Sequence, residues 1–376
     1  MKKLTHRRKP SGLVILGLLL AAGCSTRDNS YTDASAASYY MYVLNSGDST
    51  ITGYQVNNAT GALTQITGSP FSVRASATSF TATPSGKYIY TTHGGGTAGV
   101  AAYSVASDSG KITEVNGSYS LMGSAPTAIQ HGVVGSELYL GHSSTTYVSG
   151  YDIDSTTGKL TFEEAYSTGT GASQIQFNAN GDTSFVSNST SGKIYVYAVN
   201  TITLKLIPFA GSPYTSGSGV SSLASRGGRN YTYLYAANSS ANTLSVFSFN
   251  DSDGSLTHIT GSPVSVGTTP TGISTDSNGD LLFVPNKGSN TVQVFQIDSD
   301  SGALTETTGS PFSTGSQPSF AKTSPTGGFL YVLNSAANTI SAYSYHSTTG
   351  ALTEIAGSPF STGSTPASIA FVRGTQ

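Results

Sequence analysis

Leu330-Tyr331-Val332-Leu333-Asn334, followed by Asn338-Thr339-Ile340-Ser341-Ala342-Tyr343, Thr349-Gly350-Ala351-Leu352-Thr353, Gly357-Ser358-Pro359-Phe360 and Thr365-Pro366-Ala367-Ser368-Ile369, is the clearest copy of a unit that the chain repeats seven times. The residue closing its first strand recurs as Asn45, His93, His142, Asn188, Asn238, Asn286 and Asn334, at steps of 48, 49, 46, 50, 48 and 48 residues. A turn glycine keeps the same beat at Gly61, Gly110, Gly158, Gly254, Gly302 and Gly350, while the fourth copy has Thr201-Ile202-Thr203-Leu204 in its place. A period of this size determines the architecture before any single residue is weighed.

Each copy holds four short runs rich in Tyr, Val, Ile, Phe and Thr, separated by Gly, Asn, Asp, Pro and Ser. Such runs read as strands joined by turns, and no stretch of helical period competes with them. Four strands per unit predict an all-β fold, a seven-bladed β-propeller of four-stranded blades. The first copy opens at Tyr39-Tyr40-Met41-Tyr42-Val43, which is a second strand, and the last ends on Ala367-Ser368-Ile369-Ala370-Phe371-Val372, which is a first strand. The C-terminal strand is therefore expected to complete the first blade by pairing along Tyr39 to Leu44, so that no sheet edge is left open.

The N-terminus reads as an address. Lys2, Lys3, Arg7, Arg8 and Lys9 precede the apolar run Leu13 to Ala22, which is too short for a permanent membrane span and ends in Leu20-Ala21-Ala22-Gly23-Cys24. Cys24 is the single cysteine in the chain, and it stands at the cut. This resembles the bacterial lipoprotein signal, whose cysteine is lipidated and becomes the new N-terminus; Ala21 stands where that pattern prefers Leu. The expected division is a signal peptide over 1–23, a flexible tether over 24–38 and the propeller over 39–373. The tether has a root-mean-square reach of about 20 Å. Ser25 after the cysteine implies, by the same resemblance, an exported protein lipid-anchored in the outer membrane.

Five of the 17 basic residues lie in the signal and all 19 acidic residues lie after it, which leaves the mature chain at about −7. Nucleic acid is thereby excluded as a partner. With no second cysteine there is no internal disulfide.

The pattern Tyr331-Val332 to Asn334, then Thr349-Gly350-Ala351-Leu352-Thr353, then Pro366, resembles the lactonase-like seven-bladed propellers, which include the propeller type of 6-phosphogluconolactonase and the fungal carboxymuconate-lactonizing enzyme. The resemblance spans Tyr39 to Val372. Propellers that lean on tryptophan fit less well, because the chain has no Trp. The resemblance implies lactone chemistry by a His, a Glu and arginines near one mouth of the channel. The Pro-Arg-His type of triplet that follows the inner-strand proline in active relatives has no match here, so no catalytic residue is carried over.

Lactone hydrolysis needs a base for water and a cation or donors for the developing oxyanion. In the inner-strand segments, from Ser79-Phe80-Thr81-Ala82 to Ser368-Ile369-Ala370-Phe371, His131 is the only imidazole and Lys322 the only charge. They are the candidate catalytic residues. Lying four blades apart, they are expected to stand on opposite sides of a channel too wide for one small substrate. The mouth formed by the loops after the second and fourth strands carries one carboxylate, Asp48. The other aspartates of the repeats fall in opposite-face turns, where Asp beside Gly suits the tight backbone. They lack ligand spacing, so neither a metal nor a cofactor is expected.

Asn45, His93, His142, Asn188, Asn238, Asn286 and Asn334 ring that mouth. They are candidate ligand-binding positions and, equally, hydrogen-bonding strand caps. Two functions follow. The favoured one is a cell-envelope protein binding a glycan, a small ligand or a protein partner at the channel mouth. The alternative is a hydrolase of a sugar-type lactone. Mature protein is expected to partition into detergent, and Cys24→Ser to release it; normal membrane fractionation of that variant would refute the lipid anchor.

Overall fold

The computed structural model describes residues 38–95, 98–117, 126–200, 202–227 and 232–374. Cys24 and the signal lie outside them. Each repeat forms one antiparallel blade, and the seven sheets are arranged in a ring. Blade 3 shows the plain form, with strands Pro126–His131, Glu137–His142, Tyr147–Ile153 and Leu160–Ser167 from the channel outward. In blades 1, 4, 5, 6 and 7 the outermost strand is split at the Ser-Pro step, as in Leu352–Glu354 and Phe360–Ser361 of blade 7. The second strands are covered on both faces. Tyr88–His93, Thr183–Asn188 and Leu281–Asn286 are buried at every position, as continuous apolar runs predict for strands sandwiched between neighbouring sheets.

The ring closes as expected. Pro366–Arg373 pairs antiparallel with Tyr39–Asn45, in the register Met41 with Phe371 and Val43 with Ile369. The C-terminal strand is thus the inner strand of blade 1. The seam is packed as a core: Tyr40, Tyr42, Ala370 and Val372 of blade 1 meet Phe80, Ile89 and Tyr103 of blade 2.

The turn glycine has a mechanical reason. Gly61, Gly110, Gly158, Gly254, Gly302 and Gly350 all sit at φ between 67° and 72°, a region that costs L-residues a clash at Cβ. Leu204 of the fourth copy adopts the same conformation, at φ 61°. This geometry presents the turn carbonyl to the preceding blade. Tyr42 donates to Gly110 O at 2.6 Å, Tyr90 to Gly158 O at 2.9 Å, Tyr235 to Gly302 O at 3.1 Å and Tyr331 to Gly61 O at 2.8 Å. Tyr139 donates to Leu204 O in the same way. Phe185 and Phe283 hold the equivalent places in blades 4 and 6, without the hydroxyl.

Removing residues 366–376 strips Val372 from the seam with blade 2 and Ile369 from the core shared with blade 7, and exposes the edge of Tyr39–Asn45. The truncated protein is expected to lose at least about 3 kcal/mol and to melt at lower temperature as a whole. An unchanged cooperative melt would show that the ring closes by other means.

Candidate functional site in the central channel

The inner strands of all seven blades enclose a channel of about 730 Å³. Its upper part is built by one position. Thr78, Thr127, Ser173, Ser221, Thr271 and Ser319 are the second residues of their inner strands or of the equivalent stretch. Each hydroxyl donates to a backbone carbonyl one blade further on. Thr78 reaches Pro126 O at 2.8 Å, Thr127 reaches Ala172 O at 3.2 Å and Ser173 reaches Val220 O at 3.0 Å. Ser221 and Thr271 reach Pro270 O and Pro318 O, each at 3.3 Å, and Ser319 reaches Pro366 O at 3.1 Å. Blade 1 breaks the belt, because Ala367 has no hydroxyl to offer Ala77 of blade 2. The belt has a sequence signal that the inner-strand segments above leave out, a Ser or Thr one position ahead of them in six copies.

A second set of cross-blade bonds lies one residue deeper. The Gln174 amide bridges Leu223 N and O, and Ser222 accepts from Ile273 N at 3.0 Å. Gln130 and Gln176 also line the channel. The wall is therefore a polar lattice of hydroxyls and amides, suited to a polyol.

His131 ends its inner strand, half-buried and in register with Leu138. Its Nδ1 lies 2.8 Å from Gly132 O. A carbonyl oxygen only accepts, so Nδ1 carries the proton and Nε2 keeps the lone pair. Among the described residues, no hydrogen bond occupies Nε2. Burial lowers its pKa from the ordinary imidazole value, and the charge of Lys322 lowers it further against the hydrogen bond to Gly132.

Lys322 extends into the same channel. Its side chain is open to channel water, yet confinement among the blades lowers its ammonium from the usual lysine range. The two candidates thus share one channel. They stand on blades 3 and 7 of the ring, both line one cavity, and the charge of Lys322 lowers the pKa of His131.

The other charged groups are committed elsewhere. Asp276 touches the channel, but its carboxylate accepts from Asp280 N at 2.7 Å and Leu281 N at 2.9 Å, capping a turn. Asp48 locks the blade 1 seam by accepting from Ser364 N at 2.9 Å and Thr50 Oγ1 at 2.7 Å. The inner strand of blade 5 runs on past the expected segment to Arg226, a charge absent from the sequence-based inventory. That side chain is 7% exposed and turns to Asp280, Ser299 O and Gly279 O of the next blade. Among the described residues, no three His, Asp or Glu side chains stand where they could hold a metal ion.

The seven strand-closing residues cap strands and do not face a ligand. Asn45, His93, His142, Asn188, Asn238, Asn286 and Asn334 are all between 0% and 1% exposed. Asn45 donates to Thr50 Oγ1 at 2.9 Å and Thr52 Oγ1 at 2.8 Å, and Asn238 and Asn334 repeat that fork onto hydroxyls of their own third strands. Asn188 bonds Thr168 O and Asn286 bonds Gln293. His142 meets Ser149 Oγ at 2.8 Å, and His93 spans Thr91 Oγ1 and Ala75 O. Their burial withdraws them as ligand contacts.

Comparison with known proteins agrees with this architecture. A family model described as the seven-bladed β-propeller lactonase matches residues 21–168 and 165–317. No curated protein matches the sequence. Among solved structures, the periplasmic gluconolactonase of Pseudomonas aeruginosa superposes with a TM-score of 0.75 at 18% identity, over 89% of this chain and 99% of that one. A protein of Bacteroides fragilis, proposed to be a 6-phosphogluconolactonase, superposes with a TM-score of 0.77 at 18% identity, over 91% and 99%. A similarly described protein of Bacteroides uniformis gives 0.76 at 16% identity, over 89% and 99%.

Substituting Ala367→Ser is expected to add the seventh hydroxyl of the belt and to raise stability by about 0.5–1 kcal/mol in chemical denaturation. No gain, or a loss, would show that the blade 1–2 seam has no acceptor in reach.

Proposed function

The chain belongs to the seven-bladed β-propeller lactonase family, and on that premise we propose that it hydrolyses a sugar-type lactone in the central channel. The observation carrying this reading is the pairing of His131, with Nε2 free, and Lys322 in one polar cavity. In this mechanism Nε2 takes a proton from water as the oxygen attacks the lactone carbonyl. The Lys322 ammonium stabilises the oxyanion that develops. The ring C–O bond then breaks, and the imidazolium returns its proton to the leaving alkoxide, giving the open hydroxy acid. The hydroxyls and amides of the wall hold the hydroxyls of the sugar ring.

This reading displaces the channel-mouth binding role, because the side chains that would have carried that role are buried. We place the enzyme in the cell envelope, anchored through lipid on Cys24 and exposed to lactones that reach that compartment. The support is the signal-like N-terminus and the lone cysteine at its cut.

Purified mature protein is expected to open glucono-δ-lactone faster than buffer. His131→Ala should lower kcat/KM by about 10²–10⁴-fold and Lys322→Met by about 10²–10³-fold, with folding intact by circular dichroism. The base must be neutral and its pKa is lowered, so the acid limb of the pH–rate profile should fall below the ordinary imidazole range. The ammonium must be charged and its pKa is also lowered, so the alkaline limb should fall below the ordinary lysine range. Turnover insensitive to both variants would place the chemistry elsewhere, and turnover no faster than buffer would refute the lactonase reading.

A further inference from the structure

We propose that Lys322 and His131 form a monoanion site that holds the aldonate carboxylate left by ring opening, and that filling this site draws protons onto the pair. The choice of ligand rests on the lactonase reading above; the electrostatic argument does not.

The four ion pairs among the described residues leave Lys322 out, and no hydrogen bond engages its Nζ. The titratable groups packed around the pair offer it no free anion. Asp276, on the neighbouring inner strand, is held by the backbone N–H groups of Asp280 and Leu281. Glu137, on the strand behind His131, accepts from Ser136 Oγ. Tyr331, opposite Lys322 in register, donates to Gly61 O at 2.8 Å. Two basic groups that share one cavity with no counter-charge each disfavour the other's charged form. A carboxylate entering between them reverses that balance for both groups at once. A neutral polyol of the same size does not.

Linkage gives the sign. Both groups bind protons more tightly when the anion is present, so anion binding takes up protons. Affinity then rises as pH falls, by up to about tenfold per pH unit for each proton taken up. The product should therefore leave readily at alkaline pH and linger at acid pH.

The test is titration calorimetry of the full mature protein with gluconate, at about pH 6 and about pH 8, in buffers of different ionisation enthalpy. Gluconate is expected to bind with net proton uptake and more tightly at the lower pH. Sorbitol, its uncharged counterpart, should bind at least about tenfold more weakly. Lys322→Met, with an unchanged melt, should weaken gluconate by a similar factor. Lys322→Arg should keep the binding but lose the lysine's share of the uptake, because a guanidinium stays charged throughout. Four results would each overturn the proposal: no gluconate binding, binding without proton uptake, full uptake surviving in Lys322→Arg, or inorganic phosphate binding as tightly as gluconate. None of these measurements depends on turnover, so a protein that binds gluconate as described but opens no lactone would refute the enzymatic reading alone.

Discussion

The ring depends on a hydrogen bond that no single blade can make. A tyrosine on the second strand reaches across to the carbonyl of a left-handed turn in the next blade, and Tyr331 to Gly61 carries the pattern from the last blade back to the first. The donor is fully buried, so leaving it unpaired would cost more than the bond itself contributes. The turn must therefore hold its positive φ for the neighbour's sake as well as its own. This accounts for the periodic glycine better than loop tightness alone. A Cβ on Gly61 would sit 2.4 Å from the ring of Phe329 in the adjoining blade. Only in the fourth copy does a larger residue, Leu204, take the strain.

The same logic of neighbour-to-neighbour bonding builds the channel. Hydroxyls on the inner strands bond forward by one blade, so the wall that meets a ligand is also the innermost hoop of the ring. A surface braced by its own hydrogen bonds is both rigid and polar. Against this uniform wall, His131 and Lys322 are the chemical exceptions. Neither has an anionic partner among the described residues.

Nearly all of the architecture was legible in the sequence, because a repeat encodes one supersecondary unit and its neighbours at once. Closure by Pro366–Arg373 could be read from the mismatch between an opening second strand and a terminal first strand. The site was legible in its parts and not in its assembly. His131 and Lys322 stood out as chemical outliers among bland segments, yet whether side chains four blades apart meet depends on channel diameter and side-chain reach, which no local pattern encodes. Arg226 escaped notice because it lies just past the segment read as the inner strand of blade 5. The hydroxyl belt escaped for a different reason: in a chain so rich in Ser and Thr, one more hydroxyl at a fixed place carries little contrast. The strand-closing Asn and His residues show the converse, since a conspicuous periodic signal marked buried caps.

The interrupted belt has a further consequence. A channel with near-sevenfold symmetry offers a small polyol seven almost equivalent ways to sit, and that degeneracy costs about 1 kcal/mol of orientational free energy whenever one pose must be selected. Ala367 leaves one sector of the wall unlike the other six. Together with His131 on blade 3 and Lys322 on blade 7, it gives the ring an azimuth: a compass bearing by which a rotationally featureless barrel distinguishes one face of a sugar from another.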